Sequence, residues 1–144
     1  MNALPVMKPY IGGEWIESES KKFTTIYDPS TGKPIAQVPQ CTAAEVEKAI
    51  AAAKAAYPAW KNTPVRNRAS IMMKLRGLIE RDKEELTRMV ATENGKCWSE
   101  AAGDVAKALE MTELACSAPS LLMGESLMDT SSGYDTTLYR EPIG

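Results

Sequence analysis

Three thiols, Cys41, Cys97 and Cys116, are the strongest nucleophiles in this sequence, and no histidine accompanies them. A cysteine attacks as its thiolate and needs a nearby base or a positive environment. The lack of histidine removes both the commonest general base and the commonest metal ligand. Cys97 lies beside Lys96 at the start of a helical pattern, but nothing else around it suggests a site. Cys116 falls on the apolar side of the same pattern, where a small buried hydrophobe is the simpler role. Cys41 reads as a loop or edge-strand residue. The three thiols are widely spaced and form no CxxC pair, which argues against a zinc site or a disulfide framework. Gly12-Gly13 has no following helix, which phosphate binding needs. There is no GxGxxG, no P-loop and no GxSxG elbow. Glu80, Asp82, Glu84 and Glu85 interleave with Arg76, Arg81, Lys83 and Arg88, the pattern of a solvated helix face with i,i+4 pairs.

The elements that would position these side chains follow from periodicity. Tyr10-Ile11 and Trp15-Ile16 flank Gly12-Gly13, a pair suited to a tight hairpin. Phe23 to Tyr27 is β-branched and aromatic and stops at Asp28-Pro29-Ser30-Thr31-Gly32, where proline and glycine favour a turn. Pro34 to Val38 then returns as the partner strand. Two such hairpins need a surface to lie on. Thr42-Ala43-Ala44-Glu45 is a capping-box pattern, followed by Val46, Ala49, Ile50, Ala53 and Tyr57 at helical spacing. Thr63-Pro64 opens a second helix with the stripe Ile71, Leu75, Leu78, Ile79, Leu86, Met89 and Val90, ending at Gly95. A third runs from about Ser99 to Glu113 or a little beyond, with Pro119 ending or kinking it. Met128 to Tyr134 is polar and reads as a loop, and Thr136 to Arg140 as a strand.

Composition sets the outer bounds. The chain has 144 residues, 44% hydrophobic and 25% charged, enough for one modest core. A formal charge of −2 offers no broad basic surface for nucleic acid. No apolar run approaches the roughly 20 residues of a membrane span, and Met1 to Lys8 does not read as a signal peptide. A reducing, cytoplasmic setting fits the cysteine usage.

The order of particular segments carries more. Tyr10-Ile11-Gly12-Gly13-Glu14-Trp15, Asp28 to Ile35, Tyr57-Pro58-Ala59-Trp60, Arg66 to Ile71, Thr92-Glu93-Asn94-Gly95-Lys96 and Tyr139 to Gly144 stand in the order of landmarks of the aldehyde dehydrogenases. None is specific alone, but six in register resemble that family across nearly the whole chain. Gly103-Asp104-Val105 with Leu114 to Ser126 is most similar to its methylmalonate-semialdehyde dehydrogenase branch, the CoA-acylating one.

The resemblance implies an α+β fragment of an α/β enzyme: amino-terminal β-hairpins, three long helices and a C-terminal strand, with the Rossmann sheet absent. Residues 1–126 would belong to the NAD-binding domain and 127–144 would begin an oligomerisation arm. The implied reaction is thiolate attack on a semialdehyde, hydride transfer to NAD and acyl transfer to CoA. The nucleophilic cysteine, glutamate base and oxyanion-hole asparagine would lie further along, so no catalytic or cofactor-binding residue is assigned here, and neither NAD nor CoA is expected on the fragment. The partners implied are the remainder of the enzyme chain and further copies in a homo-oligomer. Two site expectations carry over. Ile26 and Tyr27 with Glu93 match positions where several members hold a monovalent cation, the alternative being a local role for Glu93. Lys107 stands where the branch carries an arginine facing the substrate carboxylate. Lysine offers a point charge in place of a bidentate fork, and the alternative is a surface lysine paired with Asp104 or Glu110. A non-acylating aldehyde dehydrogenase fragment and a stand-alone helical interaction module are the competing readings.

Overall fold

The structure, a computed structural model, describes residues 3–143. Met1 and Asn2 of the Met1 to Lys8 stretch, and Gly144 of the Tyr139 to Gly144 landmark, lie outside the described residues. Six strands and five helices are described: β1 (Tyr10–Ile11), β2 (Glu14–Trp15), β3 (Phe23–Asp28), β4 (Lys33–Pro39), α1 (Ala43–Asn62), α2 (Val65–Arg81), α3 (Lys83–Asn94), α4 (Trp98–Cys116), α5 (Ala118–Leu121), β5 (Glu125–Ser131) and β6 (Tyr134–Leu138). Among the described residues the strands form three antiparallel two-stranded sheets, β1–β2, β3–β4 and β5–β6.

Local chemistry sets both amino-terminal hairpins. Gly12 and Gly13 take φ of 65° and 93°, the positive pair that a twisted two-residue turn demands. Tyr10 pairs with Trp15, and their rings sit 4.9 Å apart. At the second turn, Asp28 accepts from the Ser30 amide at 2.8 Å and the Thr31 hydroxyl at 3.0 Å. The β3–β4 register slips between Ile26, opposite Ala36, and Tyr27, opposite Pro34, so Ile35 is the extra residue of a bulge. The segment before β1 adds a short parallel bridge, Val6 to Gln37, with the Gln37 amide donating to Pro5 O at 2.9 Å.

The expectation of three long helices needs correcting. The stretch from Thr63 to Gly95 is two helices, broken at Asp82, whose φ of −97° and ψ of 12° leave the helical well. The Asp82 carboxylate is held by Arg81 at 2.7 Å rather than capping α3. Beyond α4 the chain adds α5, with proline in its first turn. The expected loop from Met128 is also corrected: β5 runs to Ser131 and pairs with β6 through a turn at Gly133. Every residue of these two strands is exposed, so no inward-outward alternation marks them.

The core lies where α4 crosses α2 and α3. Its buried hydrophobic residues among those described are Ala69, Ala101 and Val105, small side chains that let helix backbones approach. Large apolar groups on the same helices stay open, including Ile71, Leu75, Leu78, Met89, Met111 and Leu114. Ile79, Leu86, Val90, Val105 and Ala108 line an open apolar groove between α2, α3 and α4.

Candidate functional site

The most tightly built polar centre is the start of α1. Thr42 caps the helix, its hydroxyl accepting from the Glu45 amide at 3.3 Å, while Glu45 reaches back to the Thr42 amide at 2.7 Å. The same carboxylate takes the Glu19 amide at 2.8 Å, tying the linker before β3 to α1. Glu45 is only 2% exposed. The Thr42 amide, then the Glu19 amide, hold its carboxyl at about 2, against an ordinary 4.5. The capping box was legible in sequence, but the link to Glu19 was not.

The expected site residues fall in separate places. Lys107 lies on an exposed face of α4 with its ammonium 2.7 Å from Glu110, one turn on. Asp104, the other candidate partner, instead pairs with Lys96 at 2.5 Å, which raises the Lys96 ammonium above its ordinary range. Glu93, near the end of α3, is exposed and borders a groove with Ile35, Glu85, Arg88, Met89 and Thr92. Ile35 is the bulge residue opposite Ile26 and Tyr27, and α3 is in contact with β3. Gly95 ends α3 at φ 68°, and a Cβ there would lie 2.8 Å from Pro29 Cγ, in the turn after Tyr27. Among the described residues no group of three Cys, Asp or Glu side chains converges for a metal.

Cys97 occupies the N-cap of α4, exposed, its sulfur 3.2 Å from the Ser99 hydroxyl. Cys41 is exposed, and Cys116 is half-buried rather than buried as its side of the helix suggested. The acidic and basic residues of α2 and α3 form the solvated face expected: Arg76 spans to Glu80 and to Glu113 of α4 at 3.0 Å, and Arg88 meets Glu84 at 3.3 Å. Such exposed pairs contribute little to stability.

Sequence reasoning missed two residues of α1. The Tyr57 hydroxyl donates to Pro142 O at 2.7 Å, and Lys61 pairs with Glu141 at 3.2 Å. The partners lie 85 and 80 residues apart in sequence, beyond any local signal.

The chain is similar to known proteins in both sequence and structure. The profile of the Aldehyde dehydrogenase family matches residues 15–144. The chain is 45% identical over 139 residues to malonate-semialdehyde dehydrogenase 2 of Bacillus cereus, covering 96% of this chain and 28% of that protein. In structure it is similar to a protein from Sinorhizobium meliloti 1021, described as a methylmalonate-semialdehyde dehydrogenase and complexed with NAD. That match has TM-score 0.92 and 29% identity, over 100% of this chain and 29% of the other. It is also similar to the methylmalonate-semialdehyde dehydrogenase of Oceanimonas doudoroffii, with TM-score 0.90 and 31% identity over 98% and 28% of the two chains. The chain therefore spans about 28% of the length of the curated relatives it matches.

Proposed function

Since this chain belongs to the aldehyde dehydrogenase family, we propose that it forms the amino-terminal scaffold of an NAD-dependent, CoA-acylating malonate- or methylmalonate-semialdehyde dehydrogenase. The observation that carries this reading is the 45% identity to a malonate-semialdehyde dehydrogenase over 96% of the chain. The open apolar faces of α2 and α4 agree with it, because faces of that kind are built to be covered. The paired glycines close a hairpin with no helix beginning directly after them in sequence, which argues against their holding the phosphates of NAD or CoA. Both groups would be held by the remainder of a longer chain, where NAD accepts the hydride and CoA the acyl group.

Within that enzyme, Lys107 would attract the carboxylate of an acidic semialdehyde from the exposed face of α4, after release from Glu110. Glu93 with the carbonyls of Ile26 and Tyr27 would offer oxygen ligands to a monovalent cation, supported by the approach of α3 to the β3–β4 bulge. Residues 127–144 would begin the arm through which copies associate into a cytoplasmic homo-oligomer. No described helix is long and apolar enough to cross a membrane.

The test is turnover of malonate semialdehyde by the longer enzyme with NAD, with and without CoA. NADH formation with an acyl-CoA thioester as product is expected. A free acid released at the same rate whether or not CoA is present would replace the acylating reading with a hydrolytic one. No NADH at all would overturn both.

A further inference from the structure

The β5–β6 arm has no core of its own. All its residues are exposed, and its packed contacts are between its own two strands. An isolated two-stranded ribbon of this kind is marginal in water, and its direction depends on what holds its ends. At the base the two ends hold each other. Gly124 lies so close to Leu138 that a Cβ there would sit 1.9 Å from the Leu138 carbonyl oxygen, and Arg140 donates to the Met123 carbonyl. Those contacts close the ribbon at its base.

The segment after Leu138 is held in addition by α1. Tyr57 and Lys61 stand four residues apart on one face of the helix and engage consecutive residues of the outgoing segment, Pro142 and Glu141. The hydrogen bond from Tyr57 to Pro142 is part-buried and so partly shielded from water, while the ion pair beside it is open. The other end of α1 is locked by Glu45 to the linker before β3. Helix α1 is thus a lever fixed at its start and gripping the arm's exit near its end.

We propose that Tyr57 and Lys61 form a two-point clamp that orients the β5–β6 arm for association with a second copy of the enzyme. The inference rests on the reading of residues 127–144 as an association arm, and the experiment separates the two. In the longer enzyme, subunit dissociation is measured by sedimentation for Tyr57→Phe combined with Lys61→Met, a pair that keeps the ring and the aliphatic stem. Association is expected to weaken roughly tenfold, equivalent to about 1.4 kcal/mol. The reversed pair, Lys61→Glu with Glu141→Lys, retains the ion pair and is expected to associate more tightly than Lys61→Glu alone. A further variant has residues 125–138 replaced by a short glycine-serine link. If it assembles like the unaltered enzyme, the arm reading fails. If that protein falls apart while the clamp variant associates normally, the arm stands and the clamp is overturned. Equal association of Lys61→Glu with and without Glu141→Lys also counts against the clamp.

Discussion

The start of α1 and the β5–β6 arm are both held by contacts between residues distant in sequence, yet they are built on opposite principles. At α1 a single carboxylate, Glu45, is sealed from water and saturated by two backbone amides and the Thr42 hydroxyl. In the arm every side chain of both strands is exposed, and closure depends on a glycine against a carbonyl and one arginine at its base. A shielded charge that has all its hydrogen bonds defines one geometry by itself. An exposed ribbon defines its pairing but not its place, and takes its place from its ends or from a partner. The difference separates a region that can order within this chain from one whose order is completed by what it meets.

The largest expected effect sharpens that contrast. Gly124→Ala would push a Cβ into the Leu138 carbonyl, which only a backbone shift relieves; overpacking of that kind costs about 3 kcal/mol. In the longer enzyme, amide exchange should then show β5 and β6 unprotected while α2 to α4 keep their protection. Loss of protection throughout would mean that the arm and the helices fold as one unit. Next in size is Gly95→Ala. A φ of 68° disfavours a side chain by about 1–2 kcal/mol, and Pro29 stands in its way. Thermal unfolding of the helices should move down, with the arm's exchange unchanged.

Glu45→Gln acts through pH. The folded carboxyl is depressed from 4.5 to about 2, so its stabilisation is complete above pH 4.5 and is lost as pH falls towards 2. Unfolding midpoints followed across that window should fall steeply for the unaltered chain and flatten in the variant. Parallel slopes would show that the Glu45 network does not govern acid stability. The smallest structural effect belongs to Lys107→Arg, whose exposed position predicts unchanged unfolding. In the longer enzyme it should raise kcat/KM for malonate semialdehyde relative to propanal about tenfold, or about 1.4 kcal/mol. A ratio that does not move would leave Lys107 as a surface partner of Glu110.

The elements legible in sequence were those carried by local chemistry. The Gly12-Gly13 and Asp28-Pro29 turns, the Thr42–Glu45 box and the Gly95 stop each place their signal within a few residues. The break at Asp82 had no such signal, since no glycine or proline interrupts an apolar stripe that continues from Leu78 and Ile79 to Leu86. Strand β5 escaped because a ribbon exposed on both faces has no period for burial to write. The site was harder still. Lys107 and Glu93 were placed by resemblance rather than by pattern, and Tyr57 with Lys61 acquired partners only through contacts spanning 80 residues or more.

If this chain is a scaffold, its helix faces and arm are completed by the rest of a longer enzyme. Amide exchange measured side by side on residues 1–144 alone and on the longer enzyme tests that directly. The start of α1 is expected to be protected in both, while α2, α4 and the arm gain protection only in the longer enzyme. Equal protection of α2, α4 and the arm in the two samples would contradict it.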